Sequence, residues 1–99
     1  MTKLAAKPEA AVLPVVNVLF NGEHYYVGEL LDREGDPRGF EVVNKTTGFG
    51  AFLDGAVALK MRTSFQDFVV QHNGVVSVDE VEEFISAYDP LLMQRVVYH

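Results

Sequence analysis

Few residues in this chain are of a type and spacing that could do chemistry. Gly48-Phe49-Gly50 stands between a β-like run and a helical one, where backbone N–H groups can cradle a phosphate. The lysine such a loop needs does not follow it, and Asp54 at the helix start would repel the anion, so the glycines read as a turn. His24, His72 and His99 are the candidate metal ligands. None has a second His, Cys or carboxylate at the helical spacing that turns two ligands toward one ion, so no metal is expected. Thr63 and Ser64 offer hydroxyls in mid-helix without the sharp turn that exposes a nucleophile. Asp79, Glu80, Glu82 and Glu83 form an acidic run, which reads as a solvated helix start, because carboxylates there favour the helix dipole. The chain is therefore expected to have no catalytic residue and no cofactor.

Charge narrows the partners. Fourteen acidic against eight basic residues give a net charge of −6, which a nucleic-acid backbone would repel unless the cations were clustered. They are scattered: Lys3 and Lys7 near the start, Arg33 and Arg38 among Glu34 and Asp36, Lys60 and Arg62 on different sides of one helix. The absence of cysteine excludes a disulfide framework and fits a reducing compartment. No long apolar run is present, so neither a signal peptide nor a membrane span is expected. Ninety-nine residues suffice for one core, and we expect a leader over 1–14 followed by a single domain over 15–99.

The elements that would position these residues follow from periodicity. The chain is organised around 52–74, where Ala58, Met61, Phe65, Phe68, Val69 and His72 recur at three- and four-residue steps, the stripe of an amphipathic helix. Asp54 is the expected N-cap, its side chain accepting a first-turn N–H, and Gly74 the expected left-handed stop. Before it, 15–20 and 25–31 are rich in β-branched and aromatic residues and flank Asn21-Gly22, a pair that takes the positive φ of a tight hairpin turn. The loop is either that pair or all of 21–24. Either register puts Val16, Val18, Phe20, Tyr25 and Val27 on one face and Val15, Asn17, Leu19, His24, Tyr26 and Leu30 on the other. After the charged turn 32–39, residues 40–45 alternate as a third strand, with a continuation through 51–53 admitted. After Gly74, Ser77 and Glu80 form a capping box that starts a second helix with Val78, Val81, Phe84, Ile85 and Tyr88 on its apolar side. Asp89-Pro90 closes that helix or opens a short third one, and 95–99 can return as an edge strand.

In style and order several segments resemble a family of small uncharacterised proteobacterial proteins, classed as a domain of unknown function. They are Phe40-Glu41-Val42-Val43-Asn44-Lys45, Phe52-Leu53-Asp54-Gly55-Ala56, the stretch VDEVEEF over 78–84, and the close Val96-Val97-Tyr98-His99. The likeness spans most of the chain after the leader, with 32–39 outside it. It implies a bacterial cytoplasmic protein and carries over no functional residue.

The expected architecture is α+β: a three-stranded antiparallel meander followed by two helices packed on one face, with the C-terminal edge strand admitted. Two helices cover one face of such a sheet, and the other would present Val15, Leu19, Tyr26 and Leu30 to water. An apolar patch of that kind marks an interface unless the chain covers it, so we expect a non-catalytic interaction or regulatory module that docks on a protein partner or forms a homodimer. The alternative is a small enzyme or ligand-binding protein with a pocket near 48–54.

Overall fold

Alternating β-branched and aromatic residues build most of the sheet, and the computed structural model describes it within residues 15–95. Expectations for the leader 1–14 and for 96–99 lie outside the described residues. Strands β1 (Val15–Asn21), β2 (Tyr25–Leu31), β3 (Pro37–Asn44), β4 (Phe49–Leu53) and β5 (Gln94–Arg95) pair antiparallel in chain order. The sheet thus has five strands where three were expected. Asn44 accounts for part of the difference: its Oδ1 accepts the N–H of Thr46 (2.9 Å) and of Thr47 (3.1 Å), and the Gly48 N–H returns to its carbonyl (2.8 Å). That tight turn sends the chain back along β3 as a separate strand, which Gly50 and Ala51, poor strand formers, conceal in the sequence. The two-residue β5 confirms an edge strand near the C-terminus, beginning one residue earlier than expected.

Helix α1 (Gly55–Gln71) carries the expected stripe, of which Met61 is buried and Ala58, Phe65, Phe68, Val69 and His72 are half-buried. Asp54 stands at its N-cap, but its side chain accepts no hydrogen bond there. Gly55 at φ 57° makes the sharp change of direction from strand to helix, a conformation that a Cβ would strain. At the other end Asn73 (φ 56°) and Gly74 (φ 78°) take the left-handed conformation, and the Gly74 N–H bonds the Val69 carbonyl (2.9 Å). Helix α2 (Val78–Ser86) starts on the complete capping box, Ser77 Oγ accepting the Glu80 N–H (3.1 Å) and Glu80 Oε1 the Ser77 N–H (2.9 Å). Pro90 then lies in a single 3₁₀ turn, Asp89–Leu91.

The core lies between one sheet face and the helices, centred on Tyr25, Val27, Phe40, Val42, Leu53, Met61, Ile85 and Leu92. Burying each large apolar side chain contributes about 1.5–3 kcal/mol, so this face decides which side of the sheet the helices take.

Candidate functional site

Strand β1 does not hold one pairing register along its length. Val16 lies opposite Leu30 and Val18 opposite Gly28, but Phe20 lies opposite Val27, so Leu19 is the extra residue of a β-bulge. A one-residue shift reverses which face each side chain meets. Val16 and Val18 therefore join Tyr26 and Leu30 on the face away from the helices, while Phe20 stays on the helix side with Tyr25 and Val27. The expected faces are corrected accordingly. Of the four residues expected to form an interface, Tyr26 and Leu30 share the outer face, and Leu19 instead lines a cavity beside the helices. Val15 pairs with Leu31 through its backbone.

The outer face is apolar apart from Glu41, which its pairing with Gly28 and Phe52 places on the same face. Val43 and Phe52 also belong to it, through the pairs Tyr26↔Val43 and Glu41↔Phe52. The Tyr26 ring covers Gly28 and the Phe52 ring covers Gly39, leaving no room for a Cβ at either glycine. Tyr26 and Val43 are buried, and Val16, Val18 and Phe52 are exposed.

The hairpin tip contrasts with this. Neither Asn21 nor Gly22 has the expected positive φ, and the loop is longer than that pair, closed by the Gly22 N–H on the Tyr25 carbonyl (2.9 Å). Glu82, only 8% exposed, reaches up from α2 and accepts the backbone N–H of His24 (2.7 Å) and of Tyr25 (3.1 Å). The reading of the acidic run as solvated fails for this residue. A Cβ at Gly22 would lie 2.6 Å from Glu82 Oε2 and 2.6 Å from the Phe20 ring, so glycine is required by close approach, not by φ. Lys45 donates to Asn21 Oδ1 (2.7 Å) and to the Gly22 carbonyl. Tyr25 donates its hydroxyl to Asp89 Oδ2 (2.8 Å); burial, then that hydrogen bond and the nearby carboxylates, push its pKa up to about 12.

A second buried carboxylate, Glu29 of β2, lies on the helix side opposite Phe40. It holds the Arg62 guanidinium of α1 (Nη2 to Oε2, 2.8 Å), which also stands 4.9 Å from the Phe40 ring centroid. Arg62 lines the cavity that Leu19 borders, about 330 Å³ between β1, the sheet and both helices, with Phe20, Val27, Phe40, Phe65, Gln66, Val81, Phe84 and Ile85 as its other walls. A second cavity of about 300 Å³ lies beside Pro37–Gly39, Gly55, Ala58, Leu59 and Arg62. These two cavities meet at Arg62, and neither is lined by residues 48–54, where the alternative reading expects a pocket.

The other candidates resolve into structural roles. The Gly48 and Phe49 N–H groups are engaged within the turn, with the Asn44 carbonyl and Thr47 Oγ1, so Gly48-Phe49-Gly50 forms no phosphate cradle. His72 Nδ1 donates to the Phe68 carbonyl (2.8 Å) and Nε2 lies 3.2 Å from Glu80 Oε2, joining the end of α1 to the start of α2. Ser77, chiefly through its backbone N–H, holds the Glu80 carboxyl below the usual range. His24 is exposed at the hairpin tip, and His99 lies outside the described residues. Among the described residues no group of three His, Cys, Asp or Glu is arranged to hold a metal ion, and no helix is long and apolar enough to cross a membrane.

Over residues 15–99 the chain matches the model of a family described as "Protein of unknown function (DUF3567)". The chain belongs to that family. A DUF3567 assignment bears out the resemblance read in the sequence, and a bacterial relative accompanies it. Protein BTH_I0359 of Burkholderia thailandensis is 30% identical over 88 residues, 85% of this chain and 100% of its own length. No solved structure matches the chain. The DUF3567 description assigns no activity, so the functional reading rests on the faces and cavities described above.

Glu82, Glu29 and Arg62 are the polar residues that sequence reasoning passed over. A signal existed for each glutamate. Glu82 is four residues after Val78 and three before Ile85, on the flank of the apolar stripe, and Glu29 alternates with Tyr25 and Val27.

Proposed function

We propose that this chain is a non-catalytic, cytoplasmic interaction module that forms a homodimer through β1 and the outer face of the sheet. The observation that carries the reading is the apolar exposure of that region: Val16 is 44%, Val18 55% and Phe52 48% exposed. A patch of this kind on one face of an antiparallel sheet is what an interface requires.

Charge favours a second copy as the occupant. Two chains of net charge −6 repel, yet Val15–Asn21 contains no charged residue, so along this strand two copies meet without a like charge of its own opposing them. Among the described residues β1 is also an edge strand of the sheet. An edge strand pairs antiparallel with its own copy about a two-fold axis, the self-complementary arrangement of most homodimers. The regular part before the bulge, around Val16–Val18, would form the ladder.

Light scattering on the full chain across a wide concentration range tests the proposal, with Val16→Glu/Val18→Glu alongside. The expected result is a wild-type dimer and a folded monomeric variant, because each substitution places two carboxylates across the axis. A wild-type monomer at every concentration, or a variant that dimerises like wild type, removes the reading.

A further inference from the structure

We propose that the cavity between the β1 bulge and the two helices binds a free medium-chain fatty acid. The tail lies among Leu19, Phe20, Phe65 and Phe84, and the carboxylate meets Arg62 with Arg38 behind it. The cavity is an apolar groove of about 330 Å³, open to solvent beside the core, and an apolar tail laid in it would remove that surface from water. Its size falls at the lower end of small-molecule sites, ~300–1,000 Å³. Phe65 and Phe84 are only half-buried, and Leu19, the extra residue of the bulge, borders the cavity while staying 50% exposed. An apolar tail would complete the contacts these side chains lack.

The head group follows from Arg62. Its Nη2 is held by Glu29 and its Cζ lies 4.9 Å from the Phe40 ring centroid, so two contacts position the guanidinium before any ligand arrives. A guanidinium has five N–H donors, the ion pair engages one nitrogen, and the Arg62 side chain remains 41% exposed. The same residue borders the second cavity together with Arg38. Two of the eight basic residues of a net-acidic chain thus face one space. Glu29 already pairs with Arg62, so Arg38, where the second cavity meets the first at Arg62, is the cation to which a ligand carboxylate adds a partner.

Isothermal titration calorimetry on the full chain with decanoate, below its micelle concentration, tests this, with decanol and phosphatidylglycerol vesicles as comparisons. The expected result is one decanoate per chain and decanol binding at least tenfold more weakly. The exposed Arg38→Gln should weaken decanoate several-fold without affecting decanol, and keeps the Glu29–Arg62 pair intact. Leu19→Trp, filling the cavity, should abolish binding of both while circular dichroism stays unchanged. The double variant Glu29→Gln/Arg62→Met, which leaves no buried carboxylate unpaired, should bind decanoate and decanol alike. No heat with decanoate, equal decanol affinity in wild type, or an unaffected folded Leu19→Trp overturns the proposal; so does preferential sedimentation with the vesicles, which would assign the site to a membrane lipid. The Val16→Glu/Val18→Glu chain should bind decanoate like wild type, so this test and the dimer test fail separately.

Discussion

The tip and the outer face of one hairpin are built on opposite principles. At the tip, two side chains from distant segments hold the backbone: Glu82 accepts from His24 and Tyr25, and Lys45 donates to Asn21 and Gly22. Along β1, Val16 and Val18 stand exposed on a face that no described helix covers. Buried hydrogen bonds to a charged group are costly to leave half-made, so the tip has one geometry and little freedom. Exposed valines impose no such constraint. The polar residues of this hairpin are therefore its fastenings, and Val16 and Val18 are the exposed apolar residues that the proposed dimer would use.

Substitutions that separate fastening from surface can break this comparison. Glu82→Ala should have the largest effect, about 2–3 kcal/mol lost in urea unfolding, because two N–H groups lose a charged acceptor where water is scarce. A loss below about 0.5 kcal/mol would mean that the tip is held by packing alone. Gly22→Ala should cost about 1–2 kcal/mol through overpacking against Glu82 and Phe20, and less once Glu82 is already alanine, since neighbouring sites are not additive.

Tyr25 gives a pH signature. Its folded pKa of about 12 lies above the ordinary value of 10, so the folded state holds the phenol proton more tightly. That stabilisation is full below pH 10 and lost as pH rises toward 12. Thermal unfolding of wild type and Tyr25→Phe at stepped alkaline pH should show this loss in wild type alone. Glu80 has the opposite sign: its lowered pKa stabilises the fold above the ordinary carboxylate range, and the contribution fades as pH falls through the folded value. Glu80→Gln should flatten that part of the acid unfolding curve slightly. Val18→Glu should change the stability of the dilute protein least, within about 0.5 kcal/mol, as expected for an exposed position.

What could be read from the sequence follows the range of the interactions. Helix α2 was legible because Ser77 and Glu80 form a contact three residues apart, and the stripe of α1 because its period is local. The bulge at Leu19 was not, since Leu19 and Phe20 are both apolar and only the pairing with β2 decides which faces the helices. Strand β4 was hidden by its glycine and alanine, and its existence depends on the turn that Asn44 caps. Glu82 was set aside for its charge although its helical position was correct, and its partners lie 57 and 58 residues away. The candidate surface was half legible for the same reason: Tyr26 and Leu30 hold the outer face, Val16 and Val18 replace Leu19, and that exchange is a consequence of one unpaired residue.

The most direct test of the account is the solution mass of the wild-type chain by light scattering across concentration. The account predicts a dimer that dissociates on dilution and is absent in Val16→Glu/Val18→Glu. A monomer at every concentration would contradict it.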